Sequence, residues 1–246
     1  MTFHRARTFL LLYTTVLFSS CQKENAFDCL KSTGKIKTEI RSLPPFNTLK
    51  VYDNLDVILV QDSEWYAEVK AGENLQGNIL TEVKNGELQV TNINKCNWIR
   101  SYKKPMEIRI HLPQILNIFQ LGYGTISNEN TLKNDTIFLH LVGAGDIDLR
   151  LESKRIWMDM YELGNIKLAG TNNLLTAYVG GNGILHAENL VNQEISMQVG
   201  NSGDAHVKAE AFLGAYIKSS GSVYYYGSPQ RTDFGNSGTG QFVRVN

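Results

Sequence analysis

The chain has 246 residues, with 24 Lys and Arg against 24 Asp and Glu, a formal net charge of zero, 42% hydrophobic residues and 21 glycines. That balance offers no basic patch and excludes a nucleic-acid partner. With three cysteines and no Cys-x-x-Cys or His-Glu-x-x-His spacing, a zinc or redox centre has no support either.

In chain order, residues 1–20 read as an export signal. His4, Arg5 and Arg7 make a basic start, and Thr8 to Phe18 is an apolar run too short to span a bilayer. It ends in Leu17-Phe18-Ser19-Ser20-Cys21, which resembles the lipobox of bacterial lipoproteins, where the cysteine becomes the lipidated first residue. Phe18 stands where that motif usually has Leu, and an ordinary secretory signal cleaved nearby is the alternative. Gln22-Lys23-Glu24 is similar to the surface-export signal of some Gram-negative lipoproteins. The chain is therefore expected in the cell envelope as an outer-membrane lipoprotein, surface-exposed and held to the membrane through Cys21. Removing residues 1–20 leaves 22 basic against 24 acidic residues. Cys29 and Cys96 then remain, either as a disulfide that an oxidising compartment permits or as two free thiols.

Residues 21–42 are polar and read as a tether. Order is expected from Leu43-Pro44-Pro45-Phe46 onward. Leu49 to Tyr52 and Leu55 to Gln61 read as strands around an Asp53-Asn54 turn, and Trp65 to Lys70 alternates again. Leu80 to Val83, Asn85-Gly86 and Glu87 to Thr91 spell a hairpin, because Asn-Gly suits the positive φ angles of a type I′ turn. Met106 to Leu112 is a further alternating strand, stopped by Pro113. No apolar 3.6-residue period persists over a helix length, so residues 43–113 are expected to be β.

Residues 114–246 carry a repeat. Gly-Tyr-Gly-Thr-Ile at 122–126 returns as Gly-Ala-Gly-Asp-Ile at 143–147, Leu-Gly-Asn-Ile at 163–166 and Gly-Asn-Gly-Ile-Leu at 181–185. Asn-Ser-Gly-Asp-Ala at 201–205, Ser-Ser-Gly-Ser-Val at 219–223 and Ser-Gly-Thr-Gly-Gln-Phe at 237–242 complete the series. The closing glycines are 124, 145, 164, 183, 203, 221 and 240, at intervals of 21, 19, 19, 20, 18 and 19 residues. Four, six and eight places before each stand aliphatic sets such as Leu141, Leu139 and Ile137; two and four places after stand pairs such as Ile147 and Leu149. Alternation on both sides means strand, glycine corner, strand, with one face buried. One such unit cannot bury its apolar face alone, whereas a stack can. A period near 20 with these positions fits a parallel β-helix-like solenoid, and the leucine-rich-repeat pattern is absent. The glycines are expected to supply tight or left-handed backbone at the corner. Gln120 breaks the aliphatic pattern of the first repeat, and the last repeat is irregular enough to read as a cap.

Leu-Pro-Pro-Phe-x-x-Leu-x-Val at 43–51, the Asp56 to Gln61 strand, the Asn85-Gly86-Glu87-Leu88 hairpin, the serial Gly-x-Gly-Asp-Ile phrases and Tyr226-Gly227-Ser228-Pro229 together resemble the GIN-domain family. That family is described as the head domain of autotransporter-type adhesins and is common in exported bacterial lipoproteins. The resemblance covers residues 43–246. It implies an all-β, right-handed β-helical fold and an adhesin-like role, and it carries no catalytic residue over. The N-terminal strands and hairpin are expected to pack on the solenoid or to continue it.

Stacking turns equivalent residues into columns on the outside. One place after the glycine stand Asp146, Asn165, Asp204 and Ser222, interrupted by Ile184. A Gly-x-Gly-x-Asp phrase has the acids of a calcium β-roll, but here they lie a full coil apart, and Asp or Asn beside glycine also serves to bond turn backbone. Three places after come Asp148, Lys167, His186, His206 and Tyr224, a solvated face in which only the two histidines suit a metal. Glycosidase-type catalysis needs converging carboxylates, and only Asp146 and Asp148 come near that. No cofactor, metal or catalytic residue is assigned. The candidate binding face precedes the glycine: Phe138, Trp157, Tyr178 and Tyr216 all point outwards by alternation. Such rings are costly to leave wet, so the N-terminal hairpin, a second copy of the chain, or a glycan or protein ligand is expected to cover them. A carbohydrate-active enzyme and a purely structural envelope component are the alternatives to a binding module.

Overall fold

The structure, a computed structural model, describes residues 32–94 and 106–245. The export signal, the lipidation candidate Cys21 and both Cys29 and Cys96 lie outside the described residues.

Apolar residues two apart along a strand point to one side, so each repeat offers the interior a short aliphatic row. After β8 (Asn117–Gln120) and β9 (Thr125–Asn128) come β10 (Leu132–Leu141), β11 (Asp146–Met160), β12 (Ile166–Val179), β13 (Leu185–Val199) and β14 (Ala205–Ile217). Successive strands pair in parallel, so Ile137 lies beside Ile156, then Leu175, Ile195 and Leu213. The result is a β-solenoid of about seven turns with coils of about 19 residues. Segments before the glycine corners form one sheet and segments after them a second, while the middles of the long strands carry the chain back. Burial alternation slips there, at Lys154-Arg155 and Gln193-Glu194, which marks a further bend. β15 (Val223–Tyr226), β16 (Arg231–Asn236) and β17 (Phe242–Arg244) add the last layer.

The expected inward positions are buried except Tyr225, four places after Gly221, which is half-buried against the core. Leu141, Met160, Val179, Val199 and Ile217 have no exposed surface, and neither do Ile147, Ile166, Leu185, Ala205 and Val223. Each large aliphatic side chain so placed contributes about 1.5–3 kcal/mol relative to exposure. The closing glycines work differently from expectation. Positive φ among described glycines is confined to Gly34, Gly86, Gly170 and Gly227, none of which closes a corner. Glycine is required instead by close stacking: a β-carbon on Gly164 would collide with the Gly145 carbonyl oxygen, and one on Gly183 with that of Gly164. Corner lies on corner, carbonyl against Cα.

Buried polar side chains interrupt the apolar interior of the solenoid. Gln120, fully buried, donates from Nε2 to the Gly124 carbonyl at 2.6 Å. On the returning side, Asn172 donates to Asn192 Oδ1 at 2.8 Å, and Asn192 donates on to the Leu190 and Lys208 carbonyls. Both asparagines are buried.

The N-terminal half both continues the solenoid and caps it. β2 (Thr48–Val51) and β3 (Asp56–Gln61) pair in parallel with β8 and β9. On their other side lie β6 (Glu87–Asn92) and β7 (Glu107–Leu112), again parallel. Spatial order thus departs from chain order: β2 and β3 sit between β6 and β7 on one side and β8 and β9 on the other. β4 (Tyr66–Gly72) runs antiparallel to β7, and β5 (Ile79–Lys84) antiparallel to β6. The β5–β6 turn is the expected Asn-Gly turn, with φ of 53° at Asn85 and 75° at Gly86. One expectation needs correction. Residues 36–42, assigned to the tether, form β1 (Ile36–Ser42), antiparallel to β4. Its side chains are almost all exposed, so it carries no buried row by which a sequence pattern would reveal it. Backbone pairing holds it in place together with the Arg41 guanidinium, which donates to the Ile79 and Gln76 carbonyls, and the Lys37–Glu73 pair at 2.8 Å.

Candidate binding face

The four aromatic residues expected to face outwards do so, on the sheet that precedes the glycine corners. Phe138 and Trp157 are register partners, with ring centroids 6.3 Å apart and planes 21° from parallel. Tyr178 and Tyr216 belong to the neighbouring column, with Gln198 between them. The four therefore form a diagonal band rather than one straight strip. Trp157 and Tyr216 keep 45% and 40% of their surface exposed, whereas Phe138 and Tyr178 are half-buried. The N-terminal hairpin extends the stack at its end and does not cover the band.

Further apolar residues lie on the corner beside the band and were missed from sequence. Tyr161 and Leu163 follow Trp157 in the same coil; Val142 and Tyr123 sit at the corresponding corner of the coils before. Leu163 is 62% exposed and Tyr123 73%. Their positions, three and one before the closing glycine, read as turn residues, yet their apolar character in three coils is a signal. Tyr161 tilts against Tyr178 at 5.8 Å. The negative charge of Asp159, followed by burial and by Tyr178, pushes the Tyr161 hydroxyl above its ordinary pKa. At the middle of this surface, His140 Nδ1 lies 2.9 Å from Asp159 Oδ2, and the His140 ring stacks on Phe119 at 4.2 Å.

The second sheet offers less. Asp146 Oδ1 accepts the Asn165 N–H at 2.8 Å, Asn165 Oδ1 accepts the Ile184 N–H at 2.9 Å, and Asp204 Oδ1 accepts the Ser222 N–H at 2.7 Å. Each side chain uses Oδ1 to bond the backbone of the next coil, the role expected of Asp or Asn beside a glycine corner. Asp148 and Lys167 pair at 3.3 Å with both side chains more than half exposed, a contact of little energetic weight. His186, His206 and Tyr224 stack at 5.5 and 4.6 Å. Among the described residues no three His, Cys, Asp or Glu side chains are placed to hold a metal ion.

One polar cluster stands apart. His111 Nδ1 lies 3.1 Å from Asp62 Oδ2, its Nε2 lies 3.8 Å from Glu68 Oε1, and Tyr66 stacks on its ring at 3.9 Å. The Ser63 N–H, and then His111, hold the Asp62 carboxyl below its usual range. Burial, then the charges of Asp62 and Glu68, raise Tyr66. These groups tie β4 to β7, and the Ser63 hydroxyl among them donates to Asp62 Oδ1 at 3.3 Å. Two polar grooves, of about 390 and 560 Å³, run beside Lys133 and Glu152 and beside Asn128 and Arg150. Neither includes a ring of the band.

No curated protein sequence matches the chain. Solved structures do match in fold. A "putative adhesin" from Bacteroides fragilis aligns with a TM-score of 0.79 at 22% identity, covering 86% of this chain and 97% of that one. A "putative lipid binding protein" from Parabacteroides distasonis gives 0.68 at 19% identity, with 87% and 98% covered. A "putative adhesin" from the same organism gives 0.69 at 19% identity, with 86% and 98% covered. The profile of a protein family described as "Putative auto-transporter adhesin, head GIN domain" matches residues 45–229. The chain belongs to that GIN-domain family.

Proposed function

We propose that this protein is an exported, lipid-anchored envelope protein whose solenoid presents an adhesin-like binding face and performs no catalysis. The observation that carries the reading is the band itself. Trp157 and Tyr216 remain exposed with the described chain folded around its core, and the exposed corner residues Tyr161, Leu163, Val142 and Tyr123 widen the surface. Contiguous exposed apolar surface rimmed by polar groups is characteristic of interaction sites, and Trp and Tyr dominate their energetics. The adhesin descriptions of the family and of its structural neighbours support the same reading. Lipidation at Cys21 would place this face at the outer membrane. The carboxylates nearest a catalytic arrangement, Asp146 and Asp148, are spent on the Asn165 backbone and on Lys167.

Immobilised residues 22–246, screened against arrayed proteins and polysaccharides, test the reading. Expected is binding that Trp157→Ala weakens about tenfold or more, with unchanged thermal stability. Turnover of a polysaccharide that disappears in Asp148→Asn would contradict it. So would binding indifferent to Trp157.

A further inference from the structure

Each coil of the solenoid hands its outward-facing backbone groups to the next. Before the corner, the carbonyls of Leu141, Met160, Val179, Val199 and Ile217 accept the N–H groups of Tyr161, Gly180, Gly200, Lys218 and Ser237, one coil on. After it, the N–H groups of Ile147, Ile166, Leu185, Ala205 and Val223 donate to the carbonyls of Asn165, Ile184, Asp204, Ser222 and Gln241. The next members of these two rows are Asn236 and Phe242, and no coil follows them among the described residues. The Asn236 carbonyl and the Phe242 N–H therefore aim at the open end of the stack. So do the backbone groups of Thr232 and Phe234, because these groups alternate sides along a strand.

The two ends of the rod are finished differently. Among the described residues, β1 and β5 at the N-terminal end and β16 and β17 at the other each have one strand partner. At the N-terminal end the Arg41 guanidinium of β1 occupies the Gln76 and Ile79 carbonyls, and Lys37 pairs with Glu73. Its own side chains tie that end off. At the C-terminal end Phe234 and Phe242 stack at 4.3 Å as a lid on the core, and Phe234 stays 36% exposed. The charges of β16 are Arg231 and Asp233, opposite in sign and two residues apart. Both face outwards, beside Phe212 and Gly214, with the Arg231 guanidinium 4.4 Å over the Phe212 ring.

We propose that this open end binds a second copy of the chain, end to end, through antiparallel pairing of β16 with β16 of the copy. An exposed row of backbone donors and acceptors is completed by an added strand, and the charges of β16 select its own kind. About a two-fold axis at Thr232, the two Thr232 residues exchange both backbone bonds, and Arg231 of each chain lies opposite Asp233 of the other. An axis at Asp233 would instead set two carboxylates against each other. Because the N-terminal end is tied off, copies have no matching head-to-tail contact, and the interface closes at a dimer. The chain enters through β1 at the tied end, so the dimer holds its two N-terminal segments at opposite tips of a longer rod. This pairing is independent of what the aromatic band binds.

The test is sedimentation equilibrium of residues 22–246 between about 1 and 300 μM, where a reversible dimer is expected. Thr232→Pro removes an N–H that faces the open end and spares those that face β14, so the coil keeps its own bonds. It should weaken the dimer about tenfold or more at an unchanged melting temperature. Asp233→Arg and Arg231→Asp should each do the same by placing like charges opposite one another. An equimolar mixture of those two variants should associate again, because every facing pair is then of opposite sign. A monomer throughout the concentration range would overturn the proposal, as would a dimer that Thr232→Pro leaves intact. Charge variants that stay apart when mixed would overturn the pairing of Arg231 with Asp233. Growth beyond a dimer would overturn the two-fold closure.

Discussion

Gln120 and Asn236 hold the same place at opposite ends of the glycine-cornered stack, and each carboxamide clips its own corner. Gln120 Nε2 donates to the Gly124 carbonyl at 2.6 Å while its Oε1 accepts the Gly122 N–H at 3.1 Å. Asn236 Nδ2 donates to the Gly240 carbonyl at 2.8 Å while its Oδ1 accepts the Gly238 N–H at 2.9 Å. The residues stacked between them, Leu141, Met160, Val179, Val199 and Ile217, are all aliphatic. A pattern-based substitution, Gln120→Leu, would restore the repeat but leave the buried Gly122 N–H without its Gln120 acceptor, while the Gly124 carbonyl keeps the Asp146 N–H at 3.1 Å. The expected outcome is a loss of about 1–3 kcal/mol in urea denaturation, because an unsatisfied buried group costs more than one aliphatic side chain returns. Asn236 is exposed, so Asn236→Leu should cost less. Stabilisation by Gln120→Leu would contradict this account of the corner.

The solenoid was legible because its signal is repeated: one aliphatic row means little, and five rows at one spacing define a core. Ile147, Ile166, Leu185, Ala205 and Val223 are all found where the phrase places them. What escaped the sequence lacks that redundancy. β1 pairs through its backbone with exposed side chains, so no buried row announces it. The placing of β2 and β3 between β6–β7 and β8–β9 depends on long-range pairing that no local pattern encodes. The ring positions were readable by alternation, but their diagonal arrangement follows from register. Tyr161 and Leu163 were overlooked because turn positions are expected to be polar. The corner glycines were found for the wrong reason, since close stacking rather than left-handed backbone requires them.

That distinction has its own test. Gly183→Ala would drive a β-carbon into the Gly164 carbonyl oxygen, a backbone atom that cannot move without shifting a whole coil. A loss of about 3 kcal/mol or more, or failure to fold, is expected. Gly77→Ala, where nothing lies within 4 Å, should change stability by about 0.5 kcal/mol or less. Equal effects of the two in guanidinium titrations would refute the stacking argument.

Asp204 bonds the Ser222 N–H across a coil boundary at 2.7 Å. Removing that carboxylate with Asp204→Ala should cost about 1–2 kcal/mol. Millimolar calcium or EDTA should leave the melting temperature of the unmodified protein unchanged, because Asp146, Asn165 and Asp204 are committed to backbone N–H groups. A calcium-dependent rise in melting temperature that vanishes in Asp204→Ala would show these side chains to be ligands.

Acid should act first on the N-terminal cap. The Lys50 ammonium, then Gln89, hold Glu87 below the usual carboxylate range; Lys37 holds Glu73, Arg41 holds Glu39, and the Ser63 N–H with His111 holds Asp62. A carboxylate whose folded pKa lies below its unfolded value stabilises the fold above the unfolded value and loses that contribution as pH falls through the folded one. Stability is therefore expected to decline as pH drops below about 4. In Lys50→Met the decline should be shallower. Thermal denaturation from pH 7 to pH 3 measures it, and a rise in stability on acidification would be inconsistent with these pairings.

The most direct measurement is the adhesion of residues 22–246 to a ligand-bearing surface, compared with Trp157→Ala, Tyr161→Ala and the double variant at matched thermal stability. If the exposed aromatic band is the working face, each single change lowers affinity about tenfold and the double change abolishes retention. Undiminished retention in the double variant would show that the protein binds elsewhere, and that the rings around Trp157 are not its face.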